Sequence, residues 1–219
     1  MIWNNEFAIS ILPEILRGLG VTLQATAGGM GLALVLGLVW AIARRSQLPA
    51  LSWPVAGMVE FVRSTPLLVQ LFFVFYAAPA VGITLSPMAA GLLTLGLHYS
   101  AYTSEVYRAG IEAVPLGQWR AARALNFTPL QTYRYVILPQ AIPPIVPALG
   151  NYLIAMFKDT PLLSAITVLE ILQRAKIIGK EEFSYLEPLT SVGLICLILS
   201  LASAQLVNAL ERRWKVAYE

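Results

Sequence analysis

A few polar side chains stand where the sequence is otherwise apolar, and they are where any chemistry would occur. In "FVRSTPLLVQLFF" these are Arg63, Thr65 and Gln70; in "MFKDTPLLSAI" they are Lys158 and Asp159. An ionisable group inside an apolar segment is costly, so it marks either a solute path or a pair. Lys158 and Asp159 are adjacent on a helix and point in different directions, so they are not a simple pair with each other. A zwitterion carries both charges, and Asp159 would meet its cationic group while Lys158 or Arg63 meets its carboxylate. The same residues equally suit gating, or bracing an interface between two chains.

Other polar residues have helical spacing that suits pairing. Arg63 follows Glu60 by three residues and faces it. Thr65 and Gln70 can hydrogen-bond a neighbouring helix or a solute. His98, Tyr102 and Glu105 share one face at spacings of four and three, as an interhelical network requires, and Arg108 can reach Glu105 or Glu112.

Catalytic chemistry has no footing. There is no GxxxxGK[ST] loop to cradle phosphates, no HExxH, no GxSxG and no metal-spaced cluster. His98 is the single histidine and Cys196 the single cysteine, so neither has a like co-ligand, and no internal disulfide is possible. The chain is expected to be no enzyme and to bind no cofactor.

The elements that position these residues follow from composition. The 219 residues are 58% hydrophobic and only 12% charged, with a mean hydropathy of +0.69, half the charge of a usual soluble domain. Uncharged runs of about 20 residues read as membrane spans. Such runs give five expected spans, at about 18–43, 54–78, 87–108, 142–166 and 188–210, in one all-α membrane domain over 1–219. "PAVGITLSP" marks the turn between the second and third. "MIWNNEFAIS" lacks the basic start of a cleaved signal, so the first span is expected to stay.

Basic residues orient the spans. Arg44, Arg45, Arg108, Arg120, Arg123, Arg134, Arg212, Arg213 and Lys215 fall on one side. On the other, Arg174, Lys176 and Lys180 are offset by Glu170, Glu181, Glu182 and Glu187, and only Arg17 is not. The positive-inside rule places the N-terminus outside and the C-terminus in the cytoplasm. The net charge of +3 reflects this topology; with no continuous basic patch, no nucleic-acid partner is expected. Outside, "VLEILQRAK" reads as a short interfacial helix with Val168, Ile171 and Leu172 on its apolar face.

The longest polar connection on the basic side, residues 115–139, has its own punctuation. In "QWRAARAL" Trp119, Ala122 and Leu125 share a face, as in a short helix packed on one side. Asn126 falls where a left-handed residue closes a helix. "TPLQ" then supplies Thr128 as N-cap, Pro129 at the first position and Gln131 at the third, a capping box that starts a second short helix running toward Val136. On shape alone this pair is either a dock for a partner or a hairpin resting on lipid headgroups.

This loop resembles the signature loop of permease subunits of ABC importers: E-A-A, three residues, G, nine residues, I-x-L-P. Ala121, Ala122, Leu138 and Pro139 match, Val136 replaces isoleucine, Asn126 replaces glycine, and Arg120 reverses the charge of the glutamate. "EFVRSTPLLVQLFF", "EVYRAGIEAVPLGQW" and "LPQAIPPIVPALGNYLIAMFKDTPLLSAI" are similar to the polar amino-acid branch. "GLHYSAYTSEVYRAG" and "MFKDTPLLSAITVLE" are similar to its ectoine and hydroxyectoine permeases.

The resemblance implies a type I importer transmembrane fold in a bacterial inner membrane. Gly117, Trp119, Arg120, Ala121, Ala122, Leu125, Asn126, Leu138 and Pro139 would couple to a separate ATPase pair that holds ATP and Mg. It also implies a second permease subunit, identical or related, and an external solute-binding protein. The competing class is a stand-alone secondary transporter or channel, with Glu60, Lys158 and Asp159 as its ion path.

Overall fold

The computed structural model describes residues 3–216, with side chains described as far as Arg212, and within them regular structure is helical throughout. The side chains of Arg213 and Lys215 lie outside the described residues. Helix α1 (Asn5–Arg44) starts at Asn4, whose side chain accepts from the Glu6 and Phe7 N–H groups. Then come α2 (Pro49–Ser64), α3 (Leu67–Phe72), which continues through a π turn and a 3-10 turn to Val81, and α4 (Pro87–Glu112). A hairpin of α5 (Leu116–Ala124) and α6 (Pro129–Gln131) leads into α7 (Leu138–Asp159), and α8 (Ile171–Glu181) and α9 (Leu186–Val216) complete the chain.

Three helices are individually long and apolar enough to cross a membrane: Asn5–Arg44, Pro129–Ile166 and Leu186–Arg212. Of the other expected spans, α4 has 26 residues but carries Glu105, Arg108 and Glu112 in its final turns. The segment expected as one span at 54–78 is two helices, α2 and α3, bent by 104°. The cause is local. Pro66 has no N–H to donate, and it holds Thr65 extended at φ −107° and ψ 139°.

The closest helix contact runs between α1 and α4, through side chains too small to hold them apart. Ala25, Gly29, Ala33, Gly37 and Ala41 recur every four residues along the buried face of α1, and Gly96, Ser100 and Ser104 do the same on α4. This spacing lets membrane helices approach to backbone contact. A Cβ on Gly37 would overlap Thr103 Oγ1 and lie 3.0 Å from the Ser100 carbonyl. Thr103 Oγ1 donates to the Ala33 carbonyl at 2.9 Å, and Trp40 Nε1 donates to Ser100 Oγ at 3.1 Å.

Helix α8 starts at Ile171, later in "VLEILQRAK" than expected, so Val168 precedes it. It packs between α1 and α9, burying Ile171 and Ala175 with Ile15 and Val192. Gly18 allows the contact, because a Cβ there would meet Ile171 Cα at 2.8 Å. The Ile171 N–H donates to Thr22 Oγ1 at 3.2 Å, and Arg174 pairs with Glu14. Glu170 caps the helix from a fully buried position, accepting from the Leu172 and Gln173 N–H groups at 2.9 and 2.7 Å. Burial pushes its carboxyl up to about 7, against the pull of those two donors and of Lys176.

Two outcomes test this packing. Gly37→Ala should lower stability by ~1–3 kcal/mol in thermal melts. Gly31→Ala, where a Cβ meets nothing within 4 Å, should instead be neutral or gain up to about 1 kcal/mol from helix propensity. Glu170 contributes stability while protonated. That contribution is complete below the ordinary 4.5 and is lost as pH rises through about 7. Melting midpoints should therefore fall across this window, by the equivalent of ~3 kcal/mol, in the native chain and much less in Glu170→Gln.

Candidate functional site

The bend at Pro66 leaves backbone carbonyls at the end of α2 without helical donors, and neighbouring side chains satisfy them. Gln70 Nε2 donates to the Val62 carbonyl at 2.8 Å, the Thr65 carbonyl at 3.2 Å and Thr65 Oγ1 at 2.6 Å. Thr65 Oγ1 lies within donating distance of the Phe61 and Val62 carbonyls. Of the sequence-predicted pathway residues, Thr65 and Gln70 are thus brought together, and their hydrogen bonds go to the broken backbone. With its amide nitrogen committed, Gln70 offers only Oε1 to His98 Nδ1, 3.1 Å away. A hydrogen on His98 Nδ1 satisfies that oxygen.

Asp159 and Arg63 stand at two ends of a chain of aromatic contacts. Tyr99 donates its hydroxyl to Asp159 Oδ2 at 2.7 Å. The Tyr99 ring is 6.1 Å from Tyr102, and Tyr152 lies 6.3 Å from Tyr99 and 5.5 Å from Tyr102. The Arg63 guanidinium sits 5.5 Å from the centre of the Tyr102 ring, within cation–π range. A carboxylate, a guanidinium and a wall of tyrosines form a surface able to hold a small zwitterion. Lys158 is elsewhere, exposed on α7 and without an ion pair among the described residues.

Tyr99 and Tyr152 are functional candidates that sequence reasoning missed. Tyr152 precedes Asp159 by seven residues on α7 and so shares its face, a spacing that would have flagged it.

Toward the Arg44 end of the molecule, one carboxylate holds three helices. Glu105 on α4 pairs with Arg44 from α1, with Arg63 from α2 at 3.6 Å and with Arg108 on its own helix at 2.7 Å. Arg63 also pairs with Glu60 at 3.6 Å, and Arg108 with Glu112 at 2.5 Å, as their spacings predicted. His98, Tyr102 and Glu105 do share a face, but they do not form one chain: they go to Gln70, to the Arg63 carbonyl and to the arginines.

The α5–α6 hairpin adopts its expected caps. Asn126 is left-handed at φ 56°, the Phe127 N–H donates to the Ala122 carbonyl and the Asn126 N–H to that of Arg123, the bonds of a Schellman close. The Thr128–Gln131 capping box is complete.

Two expectations change here. Ala122 is buried and Trp119 meets Tyr133 edge-on at 5.4 Å, but Leu125 turns outward at 68% exposure. The second helix also does not end near Val136. It runs through a π turn at Thr132–Ile137 straight into α7, as one helix from Pro129 to Ile166.

Gly117, Arg120, Ala121 and Asn126 are exposed on the hairpin, Leu138 lies 39% exposed at the start of α7, and Pro139 follows it. Leu116 and Leu130 are exposed at 71% and 76% on the same hairpin, among Arg120, Arg123 and Arg134. A capped, basic surface of bare leucines marks a contact surface, for a protein partner or for lipid headgroups.

Comparison with known proteins agrees with this geometry. Residues 33–216 match the family described as binding-protein-dependent transport system inner membrane component. A probable amino-acid ABC transporter permease of Sinorhizobium fredii, y4tG, is 51% identical over 95% of this chain and 91% of its own length. The L-cystine transport system permease TcyB of Bacillus subtilis is 36% identical over 93% and 89%. The fold superposes on a crystal structure of an amino acid ABC transporter with histidines at a TM-score of 0.93 and 34% identity, covering 97% and 100% of the two chains. A MetNI methionine ABC transporter shares the fold at 0.75, with 22% identity. The chain therefore belongs to the family of inner membrane components of binding-protein-dependent transport systems.

Proposed function

We propose that this chain is the permease subunit of an ATP-driven importer for a polar amino acid or a related zwitterionic compatible solute, such as ectoine or hydroxyectoine. The observation that carries the coupling reading is the continuity of the helix from Pro129 to Ile166, with exposed leucines at its hairpin end. At 38 residues it is roughly 57 Å long. A displacement of the hairpin reaches Tyr152 and Asp159 through one continuous helix. Family membership favours this reading over a stand-alone secondary transporter.

In this mechanism the chain crosses the bilayer five times with its N-terminus outside. It works as a dimer with itself or a related permease, fed by an external solute-binding protein. A separate ATPase pair, holding ATP and Mg, docks on Leu116, Leu125 and Leu130 and on the arginines around them. Its closure tilts α7 against α4, and hydrolysis reverses the tilt. The Glu105 cluster clamps α1, α2 and α4 at the inner end while the outer side is open. Asp159 receives the ammonium of the solute and Arg63 its carboxylate, with Tyr102 and Tyr152 as walls. Lys158 would face a water-filled path or the second permease, since lipid would penalise an exposed ammonium. The names of the relatives support amino acids as the solute class. The two charges at Asp159 and Arg63 suit any zwitterion of that size.

Asp159→Asn keeps an acceptor for the Tyr99 hydroxyl and removes only the charge. In proteoliposomes it should weaken solute-stimulated ATPase activity by about 10- to 100-fold in apparent affinity with unchanged basal hydrolysis. Unchanged solute dependence would remove Asp159 from the site. Competition of labelled uptake by amino acids and by ectoine then orders the solutes. On the coupling side, Leu130→Asp should abolish copurification of the ATPase while leaving the melting profile of the permease intact. Retained assembly would move the dock elsewhere.

A further inference from the structure

Beside the Glu105 cluster, but not part of it, lies a groove of about 700 Å³ between the end of α1, the start of α2 and the helix that begins at Pro129. Its walls are aliphatic, with Leu38 and Ile42 from α1, Ile111 from α4 and Leu138 from α7. One end is polar and cationic, formed by Arg45, Ser46 and Tyr133. We propose that this groove binds an anionic phospholipid of the adjoining leaflet, with an acyl chain along the aliphatic walls and the phosphate at Arg45.

Three observations single out this occupant. First, the polar end has donors to spare. Arg45 Nη2 reaches Tyr133 Oη at a long 3.4 Å, and Arg45 Nη1 lies 3.9 Å from Glu112 Oε1, while Arg108 holds the other oxygen of Glu112 at 2.5 Å. Ser46 Oγ accepts from the Leu48 N–H at 3.2 Å, which leaves its own hydrogen to donate. A guanidinium and a hydroxyl at one spot suit a phosphate diester.

Second, the depth is that of headgroups. The groove opens where α1 leaves its apolar stretch at Arg44 and Arg45, and there Trp53 and Leu48 stand 79% and 66% exposed. Tryptophan beside arginine at a helix end marks the membrane–water boundary. Third, the groove itself couples an apolar trough to a cation. A soluble anion would leave the trough empty and a neutral lipid would leave Arg45 only its distant share of Glu112, whereas an anionic lipid fills the trough and adds a close anion.

The position gives such a lipid leverage. It would touch α1 and α2 on one side and, through Tyr133 and Leu138, the helix that carries the hairpin on the other. The lipid would therefore brace the joint across which the hairpin moves.

The test uses the assembled transporter, purified in detergent and exchanged into nanodiscs containing phosphatidylcholine with or without phosphatidylglycerol. Retained lipid is read by native mass spectrometry and ATPase rate is measured in parallel. The native protein should retain phosphatidylglycerol in preference to phosphatidylcholine. Arg45→Gln should lower that preference by about fivefold, and Leu38→Trp, which fills the trough, should remove retained lipid of either kind. Equal retention of both lipids by the native protein would overturn the proposal. So would an Arg45→Gln protein with undiminished preference, or protection of Arg45 by inorganic phosphate alone. Lipid bound to the isolated permease but excluded from the assembled complex would assign the groove to a protein partner and overturn it as well.

Discussion

The contact on which this architecture depends is the approach of α1 to α4 at Gly37 and Thr103. Hydrocarbon offers no hydrophobic drive between helices, so association rests on close packing and on polar groups that bridge backbones. A seam of glycine, alanine and serine provides both. It removes the side chains that would hold the helices apart, and it brings the Thr103 hydroxyl within 2.9 Å of the Ala33 carbonyl. With α1 and α4 fixed, α4 presents Tyr99 and Tyr102 toward α7 and Glu105 toward α2. The aromatic chain and the arginine cluster are consequences of that seam.

The broken second segment shows how polar residues in an apolar protein can serve structure first. Pro66 opens the backbone, and the exposed carbonyls of Val62 and Thr65 must find donors, because an unmatched group in an apolar setting costs several kcal/mol. Gln70 answers all of them with one amide, and its remaining oxygen faces His98 Nδ1. The bend also turns Arg63 out of the line of α3 and over Tyr102, where it pairs with Glu60 and Glu105. A straight helix through 54–78 would not make this placement.

The hairpin and α7 are continuous. The hairpin is capped twice, by the left-handed Asn126 and by the Thr128–Gln131 box, so it behaves as a rigid corner. Past Thr132 the chain does not pause, and the π turn and prolines of α7 bend the helix without ending it. Here Leu116, Leu125 and Leu130 stand bare while Ala122 and Trp119 face inward. The proposed docking role and the reach to Asp159 come from the same stretch of chain.

Much of this was legible in residue order, for identifiable reasons. Apolar runs and their charged ends mark helices because the cost of a charge in hydrocarbon is local. Caps at Asn126 and Thr128 are readable because they depend on bonds within a few residues. The pairs Arg63–Glu60 and Arg108–Glu112 follow from helical spacing alone, and the small-residue ladder of α1 is visible in its four-residue period. Distance along the chain hides the rest. Only the tertiary structure joins Glu105 to Arg44, Gln70 to His98 and Tyr99 to Asp159, and turns Leu125 outward. Those contacts depend on the crossing of helices that the sequence lists far apart, so helical period determines which face a residue occupies and packing alone decides what that face meets.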